Sequence, residues 1–234
     1  MTENTQKQLI RVELGRTNYA DAWKMQKKLV DERVKGNLPD LLLLTEHDPV
    51  ITKGRATDIN NLLCSPDELK NRGVELFEIE RGGDITYHGP GQLVIYPIID
   101  LNNHGRDLHK YLRDLERMII ATLGELGIEA GVKPGLTGVW ADDKKLAAIG
   151  VAVSRWITYH GAALNVNTDL DYYKLINPCG ITQFPVGSIK NELGNDTKLD
   201  KVADLIIKNF ADIFSCDVEQ SAEIENLLNE PAEV

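Results

Sequence analysis

The sequence predicts one α+β domain, a mixed or antiparallel sheet with packed helices, spanning residues 1–234. Three observations predict it. Apolar or β-branched runs of strand length recur from Leu9 to Val166, and two long segments carry apolar residues at helical spacing. The strands also come in runs rather than alternating strictly with helices, which disfavours a doubly wound parallel sheet.

The elements follow in order. After a polar tail over residues 1–8, Leu9 to Leu14 alternates as a strand does, and Tyr19, Trp23, Gln26, Val30 and Val34 take a helical spacing up to Gly36-Asn37. Leu41 to Leu44 is a buried strand, and Val50-Ile51-Thr52 after a polar loop suggests a hairpin nearby. Asn60 to Gly73 reads as short helix and turn, and Val74 to Ile79 as a strand ended by Gly82-Gly83. Gln92 to Ile99 is a further strand, with Pro97 placed at an edge or a bulge because proline cannot donate to a ladder. Leu108 to Leu126 is the clearest helix, and Val139-Trp140 and Lys145 to Val153 form a hairpin around Asp142-Asp143. Ala162 to Val166 continues the β pattern, Leu199 to Ile213 is a last helix, and the acidic stretch over 216–234 is a short helix or a loose tail.

Composition narrows the function. A formal net charge of −10 without Lys/Arg clusters argues against a nucleic-acid partner. Cys64, Cys179 and Cys216 are odd in number and widely spaced, so they suit a reducing compartment rather than a disulfide framework or a zinc ribbon. The polar start and the lack of a long apolar run suggest a cytoplasmic protein with no membrane partner.

Three segments could carry chemistry. Arg81 to Gln92 packs four glycines and a proline among polar residues, where backbone N–H groups can approach a ligand; it lacks the Lys and Ser/Thr of a phosphate loop, and the plain alternative is a glycine-rich connection. In the strand Lys145 to Val153, alternation puts Lys145, Ala147, Ile149, Val151 and Val153 on one face and Leu146, Ala148, Gly150 and Ala152 on the other. The second face is small enough either for a ligand channel or for a closely packed helix. In Asn177-Pro178-Cys179-Gly180 a sharp turn presents a thiol, although a lone cysteine is more often a small core residue. His88, His160 and Cys179 can be imagined as zinc ligands, but their spacing supports no such site.

Taken together, R-G-G-x-x-T-Y-H-G-P-G-Q (Arg81 to Gln92), K-L-A-A-I-G (Lys145 to Gly150), Y-H-G-A-A-L-N-V (Tyr159 to Val166) and I-N-P-C-G (Ile176 to Gly180) resemble the lipoyl/octanoyl transferase family. The resemblance implies a biotin/lipoate protein ligase-like fold and transfer of octanoyl, in lipoate biosynthesis, from octanoyl-acyl carrier protein to a lysine of a lipoyl domain. Acceptors of that kind are the lipoyl domains of 2-oxoacid dehydrogenases and the glycine cleavage H protein. It implies Cys179 as the residue that carries the acyl group and Lys145 as its partner, with no metal and no cofactor. The implied substrate-binding residues are Arg81, Gly82, Gly83, Asp84, Ile85, Thr86, Tyr87 and His88, then Ala148, Ile149 and Gly150, and lastly His160, Gly161, Ala162 and Ala163.

The chemistry is coherent. A lysine ammonium beside a thiol favours the thiolate, and the lysine can later take a proton from the substrate amine. Burying an eight-carbon chain gains on the order of 5 kcal/mol at about 0.8 kcal/mol per methylene. Backbone N–H groups at Gly82-Gly83 or Gly161-Ala162 are candidate oxyanion donors, and on that view Gly161→Val slows the reaction while leaving the fold intact. The rival readings are an ATP-dependent lipoate or biotin ligase, a non-catalytic module that holds an acylated carrier, and a zinc hydrolase.

Overall fold

Two sheets of unequal size organise the chain in a computed structural model that describes residues 7–178, 183–221 and 224. The larger sheet has seven strands: β1 (Lys7–Thr17), β2 (Asp40–His47), β6 (Gln92–Ile98), β7 (Val139–Ala141), β8 (Lys144–Ser154), β9 (Ile157–Asn165) and β10 (Cys216–Glu219), in the order β10-β1-β2-β6-β9-β8-β7. The smaller sheet contains β3 (Val50–Lys53), β4 (Glu75–Glu78) and β5 (Ile85–His88), ordered β4-β3-β5. Both are mixed. β1 runs parallel to β2 and β10, while β6, β9, β8 and β7 pair antiparallel.

Helices cover both faces of the large sheet. α1 (Tyr19–Lys35) starts where the Asn18 side chain accepts from the Ala20 N–H and stops at Gly36, whose φ of 79° only glycine adopts cheaply. It packs Leu29 and Val30 against Leu41, Leu43, Val94 and Tyr96. On the opposite face lie α3 (Leu108–Glu125) and α5 (Leu199–Phe214), which enclose the main core with Leu42, Leu44, Leu146 and Ala147. Each fully buried aliphatic such as Leu115, Ile119 or Ile206 contributes roughly 1.5–3 kcal/mol. Two short helices, α2 (Pro66–Asn71) and α4 (Ile189–Leu193), flank the small sheet and the return to α5.

Several sequence expectations are corrected. Val50-Ile51-Thr52 forms no hairpin with β2: the chain leaves the large sheet after His47, and β3 pairs instead with β4 and β5. β5 itself lies inside the glycine-rich segment, where four glycines mask its strand pattern. Pro97 sits in the central strand rather than at an edge, opposite Leu42 of β2. It fits there because the β6–β9 ladder stops at Ile95, and beyond it the Pro97 ring lies against Gly161, where a Cβ would come 2.8 Å from Pro97 Cδ. Within the acidic C-terminal stretch, Cys216–Glu219 is a strand parallel to β1.

Candidate active site

A narrow cleft opens between the two sheets. Its floor is the small-residue region of β8, β9 and β6, where Ala148 pairs with Ala163, Gly150 with Gly161, and Val94 with Ala163. Its roof is Arg81, Gly83, Thr86 and His88, with Tyr19 from the start of α1. Polypeptide covers this face of β8 as a loop and not as a helix: Gly82 N–H donates to Val151 O at 2.8 Å, and a Cβ on Gly150 would come 2.8 Å from Gly82 O. That bond commits Gly82 N–H, so it is not the oxyanion donor expected of the Gly82-Gly83 pair.

The predicted substrate-binding residues divide by strand alternation. Thr86 and His88 face the cleft, whereas Ile85 packs with Ile51 and Tyr87 stacks on Tyr172 at 4.9 Å, beneath the chain that leads to Ile176. Asp84 accepts from Asn61 Nδ2 at 2.5 Å and lies outside the cleft lining, as does Gly82. Arg81, Gly83, Ala148, Ile149, Gly150, His160, Gly161, Ala162 and Ala163 all line it. Tyr19, Val94 and Tyr96 also line it; nothing in their sequence context marks them.

Lys145 lies on the opposite face from the one strict alternation assigns. Between β7 and β8, Val139 is opposite Ala147 but Trp140 is opposite Lys145, so Leu146 is an extra, bulged residue. Leu146 and Ala147 both enter the core under α3 and α5, and Lys145, paired with Trp140, takes the side of β8 shared by Ala148 and Gly150 but lies outside the cleft lining. There it is 6% exposed, with Nζ 5.1 Å from the centroid of the Trp140 ring. Cys179 lies outside the described residues, but the chain on either side is held. Asn177 N–H donates to Asn61 O, Lys145 N–H donates to Pro185 O, and Gly187 N–H donates to Lys145 O.

The roof carries a buried polar cluster. Arg81 donates from Nη2 to Thr52 O at 2.8 Å and to Thr52 Oγ1 at 3.0 Å. Burial depresses the His88 pKa to about 3, with the His47 charge adding to it, and burial likewise lowers His47 and His160 to about 4. All three are neutral at pH 7. His47 Nε2 lies 2.7 Å from Tyr96 Oη, while His160 Nε2 has Glu80 Oε2 3.8 Å away, too far for a hydrogen bond, and is buried without a partner. Among the described residues no cluster of His, Cys, Asp and Glu is arranged to hold a metal, and no helix is long and apolar enough to cross a membrane.

Residues 18–211 match the lipoyl protein ligase A/B catalytic domain, and the chain belongs to that family. Within it the similarity is to transferases. An octanoyltransferase of Solibacter usitatus is 50% identical over 91% of this chain and 96% of its own, and one of Koribacter versatilis is 47% identical over 94% and 90%. The activity that goes with this similarity is octanoyl transfer in lipoate biosynthesis. The fold is shared more widely: a lipoate protein ligase of Thermoplasma acidophilum superposes with a TM-score of 0.69 at 20% identity, covering 96% of this chain and 91% of its own. A biotin protein ligase of Aquifex aeolicus gives 0.55 at 15%, covering 89% and 70%.

Proposed function

We propose that the chain transfers octanoyl from octanoyl-acyl carrier protein, through a thioester on Cys179, to a lysine of a lipoyl domain in the cytoplasm. The observation that carries this reading is the bulge at Leu146. It turns a buried lysine to the side of β8 that carries the cleft floor, beside Trp140 and outside the cleft's own lining, and the chain six residues beyond Cys179 pairs with that lysine's backbone.

The two half-reactions balance. The Cys179 thiolate attacks the carbonyl carbon of the donor thioester, the acyl–enzyme C–S bond forms, and the carrier thiolate leaves with a proton from the Lys145 ammonium. The lysine amine of the lipoyl domain then attacks the acyl carbon, its proton passes to neutral Lys145, and the Cys179 thiolate departs as the amide forms. The thioester supplies the driving force, so no nucleotide is consumed. Arg81, Gly83, Thr86 and His88 roof the acyl chain, and Ala148, Gly150, Gly161 and Ala163 let it lie against the sheet.

The test is transfer to a purified lipoyl domain with octanoyl-acyl carrier protein as the only acyl source. Octanoyl-lysine formed without ATP supports the reading. Product formed only from free octanoate plus ATP replaces it with a ligase, and the lipoyl domains of 2-oxoacid dehydrogenases and the glycine cleavage H protein are the acceptors to compare.

A further inference from the structure

Gln92 and Asn165, the last polar residues of two of the sequence motifs, are both buried and hydrogen-bonded to one another. Their amide orientations are fixed by acceptors that cannot donate. Gln92 Nε2 donates to Tyr87 O at 3.1 Å and to Asn165 Oδ1 at 2.9 Å, and Asn165 Nδ2 donates to Gly187 O at 2.9 Å. Gln92 Oε1 is therefore an acceptor, and its partner at 2.8 Å, His88 Nδ1, carries the proton. Neutral His88 is the Nδ1–H tautomer, with Nε2 turned to the Thr52 hydroxyl at 3.5 Å. It has no N–H left to give an oxyanion.

The same network reaches both sides of residues 179–182. Upstream, Tyr173 Oη lies 3.1 Å from Gln92 Nε2, and its hydroxyl hydrogen has two acceptors within reach, Asn165 Oδ1 at 3.3 Å and Tyr87 O at 3.4 Å, both themselves bonded to Gln92. Downstream, Gly187 gives its carbonyl to Asn165 and its N–H to Lys145 O. We infer that Gln92 and Asn165 are positioning residues for the transfer reaction: one buried amide relay holds His88 on the roof and ties both flanks of the cysteine-bearing segment to the strand of Lys145. The inference rests on the reading above for what the segment does, and on the hydrogen bonds alone for how it is held. A buried network of this kind specifies one geometry, because breaking one member leaves its neighbours unpaired.

The test has two arms on the full chain. Long-range ¹H–¹⁵N spectra, with His88→Asn used to assign the resonance, should show His88 as the Nδ1–H tautomer in the unaltered protein and lose that preference in Gln92→Leu. An Nε2–H tautomer in the unaltered protein overturns the inference. Single-turnover acylation by octanoyl-acyl carrier protein should slow about tenfold in Tyr173→Phe, the equivalent of one buried hydrogen bond, and more in Gln92→Leu, with the half-saturating donor concentration unchanged. Folding is checked by circular dichroism and thermal unfolding. Tyr173→Phe removes one oxygen and keeps the test available should Gln92→Leu not fold. Unchanged rates in folded variants overturn the inference, as does a change in half-saturation alone. If the unaltered protein forms no acyl adduct, the thioester reading fails while the tautomer arm still decides the relay.

Discussion

The Lys145 ammonium lies 5.1 Å from the centroid of the Trp140 ring, a cation–π contact within one register pair of β7 and β8. Trp140 is buried on the face of the hairpin turned away from α3 and α5, so the contact and the bulge at Leu146 place Lys145 consistently. Lys145→Met, which keeps the stem and removes the charge, is expected to unfold within about 1 kcal/mol of the unaltered protein or later, while acylation falls roughly 10²–10⁴-fold. Urea unfolding and single-turnover acylation measure the two sides.

Gly161 is a packing residue before it is anything else. A Cβ there would overlap Ile95 O and press on Pro97 Cδ, in the middle of the central strands. Gly161→Val is therefore expected to destabilise by about 3 kcal/mol or more and does not isolate catalysis, contrary to the sequence expectation of an intact fold. Gly161→Ala, assayed by denaturant unfolding, should already lose at least about 1 kcal/mol.

Chain length should respond to the floor of the cleft. Ala148 and Ala163 face each other across β8 and β9 in the lining, so Ala148→Leu fills space the acyl chain is to occupy. Acylation should shift towards hexanoyl donors, each lost methylene contact costing octanoyl about 0.8 kcal/mol. Competition between hexanoyl and octanoyl donors reads the shift, and an unchanged preference places the chain elsewhere.

Stability should fall in mild acid. His47, His88 and His160 have folded pKa values of about 4, 3 and 4, against about 6.5 unfolded, so between these values the unfolded chain binds protons that the folded one does not. The sign is that stability is complete above pH 6.5 and declines as pH falls, at about 1.4 kcal/mol per pH unit for each histidine. Unfolding free energies measured from pH 7 to 4 should show this slope, and His47→Gln should lower it by one proton.

Much of this was legible in the sequence, for reasons specific elements make plain. α3 and α5 are legible because one face of each must enter the core, and β8 because its small and larger apolar residues alternate, whereas of β9 (Ile157–Asn165) only the half from Ala162 is, since Tyr159-His160-Gly161 breaks the β pattern. The face of Lys145 was not legible: a single extra residue at Leu146 reverses alternation, and only the partner strand reveals it. Pro97 is not at an edge but at a break in the β6–β9 ladder, and its tolerance there depends on Gly161, distant in sequence. β10 is short and acidic and owes its existence to the free edge of β1. The polar relay was half visible, since Gln92 and Asn165 stand in the motifs, but the hydrogen bonds that join them to Tyr173 and Gly187 follow only from tertiary structure.

The measurement that bears most directly on the thioester mechanism is intact-protein mass spectrometry after mixing with octanoyl-acyl carrier protein in the absence of ATP. The unaltered chain should gain one octanoyl group that hydroxylamine removes, Lys145→Ala should gain it slowly, and Cys179→Ser should form no hydroxylamine-labile thioester. An octanoyl adduct that persists as a thioester in Cys179→Ser, or no adduct on an unaltered chain that still octanoylates a lipoyl domain, contradicts it.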